Sequence, residues 1–91
     1  MLTLDELERW FSRVQYPDKV VLGAGVTVVD PALMVSSHIR MLRVHEGNRG
    51  YKPYHDRLLL VRQLLIDNYG VSPRLAENTE KNTDYGLEKE N

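Results

Sequence analysis

Apolar residues recur at helical spacing in three stretches of this chain, and each stretch carries its own start and stop signals. The first opens at Thr3, three residues ahead of Glu6, which is the spacing of a capping box, with Leu2 and Leu7 placed as a hydrophobic staple. At ~100° per residue, Leu4, Leu7, Trp10, Phe11 and Val14 share one face while Asp5, Glu8, Arg9, Ser12 and Arg13 fall elsewhere, so a helix burying a single stripe is predicted. Tyr16-Pro17-Asp18 ends it. The second stretch has Asp30 as N-cap and Pro31 at the first helical position and runs to Glu46-Gly47. Its apolar arc is wide, taking in Ala32, Leu33, Met34, Val35, Ile39, Met41, Leu42 and Val44, with Ser36, Arg40 and Arg43 as a narrow polar strip. A helix with such an arc is expected to be the central one, touched on several sides. The third starts at Pro53, puts Tyr54, Leu58, Val61, Leu64, Leu65 and Tyr69 on one stripe and Leu59 and Ile66 on a weaker one, and stops at Gly70 with Val71 placed for the accompanying contact.

Between the first two helices, Lys19 to Val29 is rich in β-branched residues around Gly23-Ala24-Gly25 and reads as extended. A wrapped loop is favoured over a hairpin, because two strands of three or four residues are marginal unless something covers them. Beyond Ser72-Pro73 the apolar residues are too scattered to make a face. The expected architecture is therefore mostly α: a three-helix domain over residues 1–71 with an extended connection between helices 1 and 2, and a disordered tail over 72–91. The second and third helices form a hairpin about the loop Gly47-Asn48-Arg49-Gly50-Tyr51-Lys52, a register that sets His45 beside Tyr54 and His38 nearer Val61.

Composition narrows the function classes. A chain of 91 residues, 42% hydrophobic and 27% charged, has room for one core, and so small a core makes association with a partner a cheap source of stability. With no cysteine there is neither a disulfide framework nor a thiol nucleophile. No apolar run reaches the ~18 residues of a membrane span and the first residues lack a leader pattern, so a cytoplasmic protein without a membrane partner is expected. The formal charge of -1 conceals a basic middle, Arg40, Arg43, Arg49, Lys52, Arg57 and Arg62 against Glu46 and Asp56.

Two tempting motifs fail on their spacing. Val20-Val21-Leu22-Gly23-Ala24-Gly25-Val26 imitates a dinucleotide-binding turn, but the third small position is Val28 and the helix that should face the pyrophosphate begins only at Asp30-Pro31. His38 and His45, seven residues apart on one helix, lie ~10 Å apart along it and cannot share one ion. No serine stands in a nucleophile turn. No catalytic, cofactor or metal site is expected, and an enzyme is not. The candidate interaction surface is the loop with the start of the third helix: Arg49, Tyr51, Lys52, Tyr54, His55 and Arg57 combine cations and rings suited to phosphate groups, single-stranded bases or an acidic partner.

The segments Val35-Ser36-Ser37-His38-Ile39-Arg40-Met41-Leu42 and Pro53-Tyr54-His55-Asp56-Arg57-Leu58 resemble a small family of uncharacterised bacterial helical proteins classed as a domain of unknown function. The resemblance runs from about Leu4 to Tyr69; it implies the helical fold and no activity. Two functions remain as expectations. The first is a small non-enzymatic interaction module or accessory subunit whose partner is a protein, itself or another, through surface that three helices leave uncovered on the wide apolar arc of helix 2 and at Leu59 and Ile66 of helix 3. The alternative is a nucleic-acid-binding accessory protein using the basic 40–62 region, against which the net charge of -1 counts.

Overall fold

A computed structural model describes residues 2–74 of the chain. Helix α1 spans Leu4–Phe11, strands β1 and β2 span Val20–Gly23 and Val26–Val28, helix α2 spans Pro31–Val44, a 3-10 turn occupies Arg49–Tyr51, and helix α3 spans Lys52–Tyr69. The starts and the last stop follow the local chemistry, whereas α1 ends at Phe11, short of the expected Tyr16-Pro17-Asp18. The Thr3 backbone N–H donates to Glu6 Oε1 at 2.8 Å and the Glu6 N–H to Thr3 Oγ1 at 3.2 Å, which closes the capping box and holds the Glu6 carboxyl below the usual carboxylate range. Asp30 Oδ1 accepts from the Leu33 N–H at 3.2 Å ahead of Pro31. At the far end Gly70 takes the left-handed conformation, and the Val71 N–H reaches back to the Leu65 carbonyl at 3.1 Å.

The connection after α1 is a hairpin rather than the wrapped loop that strand length alone favours. β1 and β2 pair antiparallel, Val20 opposite Val28 and Val21 opposite Thr27, with an irregularity between Val21 and Gly23. The two-residue turn has φ of 52° at Ala24 and 78° at Gly25, the positive pair that suits the twist of a tight hairpin. What rescues so short a sheet is cover: β1 packs on α3, and Val20 is wholly buried in the main core.

That core consists of Leu7, Trp10 and Phe11 from α1, Val20 from β1, Val35 from α2, and Leu58, Val61 and Leu65 from α3. It overturns the expected ranking of the helices. α3 is the central element, in contact with α1, α2, β1 and the 3-10 turn, whereas α2 buries only Pro31 and Val35. A wide apolar arc records how much of a helix tolerates burial, not how much has neighbours. Ile39 and Leu42 are only partly buried, and Leu33 and Val44 stay 63% and 68% exposed. The weaker stripe of α3 changes status too, because Leu59 and Ile66 pack partly buried against the core while Leu60 is the exposed leucine there. Past α3, Arg62 Nη2 donates to the Pro73 carbonyl at 2.9 Å, so residues as far as Pro73 are tied to the helical body; from residue 75 on the expected tail lies outside the described residues.

Leu58→Ala or Leu65→Ala should cost about 2–5 kcal/mol by urea denaturation, and Leu33→Ala less than about 0.5 kcal/mol. Equal losses at the two sites would refute the central place of α3. Ala24→Gly should raise stability by about 0.5–1 kcal/mol, since a residue with a Cβ is strained by ~1–2 kcal/mol at this φ and glycine returns part of the gain as chain entropy. A lower melting midpoint for that variant would show that the turn is not strained.

Candidate interaction surface

At the turn of the helical hairpin the candidate residues do different jobs. α2 ends at Val44, two residues before the expected stop, and Asn48 Oδ1 accepts from the Gly50 N–H at 2.8 Å to shape the 3-10 turn that delivers the chain to α3. A row of rings then crosses from one helix to the other. His45 stacks on Tyr51 with centroids 4.0 Å apart and planes 4° apart, Tyr51 tilts against Tyr54 at 5.5 Å, and Tyr54 meets His38 edge-on at 4.8 Å. Tyr54 thus pairs with His38, and Tyr51 stands between it and His45. The expected register was off by about one helical turn at His45 and about two at His38, because the 3-10 turn uses Tyr51 as the partner of His45 and starts α3 one residue before Pro53.

Arg49, Tyr51, Lys52 and His55 line a shallow open hollow of about 400 Å³ together with Leu4, Leu42 and His45. Tyr54 lines a neighbouring one beside Pro53, and Arg57 lines neither. Within the hollow much of the chemistry is already engaged. Lys52 Nζ holds both Asp56 carboxylate oxygens at 3.0 and 2.9 Å. His55 Nε2 lies 3.1 Å from the Leu2 carbonyl, a contact in which the ring must donate, so His55 anchors the segment ahead of α1. Tyr51 has spent its face on His45, leaving less ring for stacking a base. Arg49 and Arg57 remain exposed.

The wider basic layout is interrupted in the same manner. Arg43 on α2 bridges two carboxylates of α1, Asp5 at 2.6 Å and Glu8 at 2.5 Å, which together push its guanidinium further toward the charged form. Arg62 lies over the Trp10 ring, 5.1 Å from its centroid. The six cations of the middle region therefore do not make one free stripe.

A second concavity, absent from the expected site, lies between α1 and α2. It is a groove of about 420 Å³ lined by Glu8, Phe11, Ser12 and Tyr16 on one side and Val35, Ser36, Ile39, Arg40, Arg43 and Val44 on the other. Beneath it Phe11 and Val35 belong to the core, 3% and 2% exposed, so the apolar surface it offers comes from Ile39 and Val44. Tyr16 donates to the Phe11 carbonyl at 3.2 Å, and burial pushes its phenol up to about 12, so it stays neutral. The sequence signal for this surface was the pair Leu33 and Val44, eleven residues apart and hence within about 20° of one another around the helix. The groove itself joins two helices and has no local spacing to betray it. Among the described residues no three His, Asp or Glu side chains converge as a metal would need, and no helix is long and apolar enough to cross a membrane.

The sequence pattern of a domain of unknown function, DUF6965, matches residues 2–68. The chain belongs to the DUF6965 family. The match covers all three helices except the last residue of α3, and it contains both segments that carried the resemblance. No curated protein and no solved structure matches the chain.

Within the DUF6965 domain, His38 reports on the ring row. Burial pushes its pKa below the usual 6.5, the Arg57 guanidinium adds to that, and a hydrogen bond with the Met34 backbone opposes it. Its Nε2 is buried without a hydrogen-bond partner among the described residues. The folded state thus favours neutral His38, and the unfolded chain takes up the proton first as pH falls. The associated stability is fully present above pH 6.5 and is lost below it, down to the lowered folded value. In an NMR titration the His38 ring should titrate below 6.5, and His38→Gln should flatten the fall in urea midpoint under that pH. An unchanged slope in the variant would remove His38 as its source.

Proposed function

We propose that this DUF6965 domain is a small non-enzymatic interaction module, working as an accessory subunit in the bacterial cytoplasm and binding another protein through α2. The observation that carries this reading is the exposed apolar edge of α2. Leu33 and Val44 are 63% and 68% exposed, three turns apart on a helical line that passes Ser37 and Arg40, and Val29, just ahead of the helix, is 77% exposed. A single exposed leucine needs no explanation; three large apolar side chains exposed on and just ahead of one helix, beside a groove, favour a docking surface. Of the two expected surfaces, Leu59 and Ile66 on α3 pack partly against the core, which favours the apolar arc of α2.

Nucleic-acid binding through the basic 40–62 region is the weaker reading. Arg43 and Lys52 are neutralised by carboxylates of this chain, so fewer cations are free to release counterions from phosphate.

A photo-cross-linking residue at position 33 or 44, introduced in the native cell, should give discrete protein adducts. The same residue at exposed Gln63 or Asp67 on α3 should not. The same adducts at all four positions, or none at any, would reject the reading. Adducts at 33 and 44 that vanish on nuclease treatment would transfer it to nucleic acid.

A further inference from the structure

We propose that the groove between α1 and α2 seats one amphipathic helix of a partner protein, with apolar anchors against Ile39 and Val44 and a carboxylate on Arg40. The proposal rests on the interaction-module reading and names the chemistry of the partner.

Shape is the first argument. The residues that line the groove from α2 run from Val35 to Val44 at steps of one and three or four, and those from α1 include Glu8, Phe11 and Ser12 at the same helical spacing. Two helices therefore form the walls of a trough. From Val35 to Val44 it extends about 13 Å at 1.5 Å per residue, enough for anchors at i, i+4 and i+7 of an incoming helix, which cover about 10 Å. No strand edge borders the trough, so an extended peptide would leave its backbone groups without a ladder there.

Charge is the second argument and selects the sign of the partner. Of the charged side chains in the groove, Arg43 and Glu8 satisfy each other, with Asp5 as the second acceptor. Tyr16 and Ser12 have committed their hydroxyl protons to the Phe11 and Arg9 carbonyls. Arg40 makes no ion pair or side-chain hydrogen bond among the described residues and leaves one uncompensated positive charge at the rim. Covering it with apolar surface would strand a charge, whereas a carboxylate meets its planar fork with paired hydrogen bonds. An acidic residue beside the apolar stripe is accordingly the chemistry that fits.

The test uses the full chain and two fluorescein-labelled synthetic helical peptides that share one leucine stripe and carry either Glu or Lys beside it. Fluorescence anisotropy should show the Glu peptide binding about tenfold more tightly than the Lys peptide, with the preference lost in Arg40→Gln and reversed in Arg40→Glu. Arg57→Gln, exposed and outside the groove, should leave it unchanged. Circular dichroism of each variant confirms that the helices persist. Amide NMR shifts on adding the Glu peptide should centre on Ser36, Ile39 and Val44 rather than on Leu60. Equal binding of the two peptides, a preference indifferent to Arg40→Glu, or no binding of either would overturn the proposal. Concentration-dependent sedimentation abolished by Val44→Asp would place a second copy in the groove and overturn it as well. If peptide binding fails while adducts at positions 33 and 44 persist, the groove proposal falls and the interaction module stands. Loss of both removes the module.

Discussion

Leu58, Val61 and Leu65 are each fully buried on one line of α3, and α1, α2 and β1 each place side chains in the core built on that line. α1 supplies Leu7, Trp10 and Phe11 to it, β1 supplies Val20, and α2 supplies Val35. A two-stranded hairpin does not survive alone in water, and an eight-residue helix is below the length at which isolated helices are stable. Neither β1 and β2 nor α1 would therefore keep its shape without α3 beneath it. Secondary structure here is a consequence of packing on one helix, so the stability of the whole follows the side chains of that stripe more closely than the propensities of the parts.

The polar chemistry reinforces this scaffold instead of forming a free site. Arg43 ties α2 to α1, Arg62 joins the Trp10 ring to the Pro73 carbonyl, His55 holds the segment ahead of α1, and the ring row from His45 to His38 closes the helical hairpin. Surface ion pairs add little energy individually. Their larger effect is on geometry, because Arg43 ties α2 to two carboxylates of α1 beside the groove. Polar groups committed in this way are unavailable to a ligand, which is why a loop rich in cations and aromatic rings offers a partner less than its composition suggests.

Local signals read well from the sequence, whereas neighbour relations did not. The Thr3–Glu6 box, the Asp30-Pro31 start and the Gly70 stop each depend on groups a few residues apart, and each forms as the spacing predicts. The central helix was misassigned because periodicity measures which residues accept burial, while the neighbour that supplies it is chosen by tertiary packing. β1 shows the same limit: its residues are right for a strand, but its survival depends on α3, some thirty positions away. The loop residues were correctly placed at one end of the hairpin, yet their pairings with Leu2, Asp56 and His45 needed coordinates. Leu33 and Val44 were visible as apolar positions, and only the structure distinguishes them from the buried members of the same arc.

Of the three helices, α2 buries the fewest residues, and its Leu33 and Val44 are more exposed than any large apolar side chain of the other two. It contributes Pro31 and Val35 to the buried set, against three residues each from α1 and α3, so its free energy of local opening should lie below that of α3. A ligand bound along both walls of the α1–α2 groove would link α2 to α1 through contacts additional to Arg43. Such binding stabilises only the closed arrangement, by about 2.7 kcal/mol at a partner concentration one hundred times the dissociation constant. For a domain of this size that is a substantial part of the total. Docking and folding of α2 are then coupled steps: partner affinity is reduced by whatever fraction of the free domain has α2 displaced, and a substitution that strengthens the α2–α3 contact raises affinity without touching the partner.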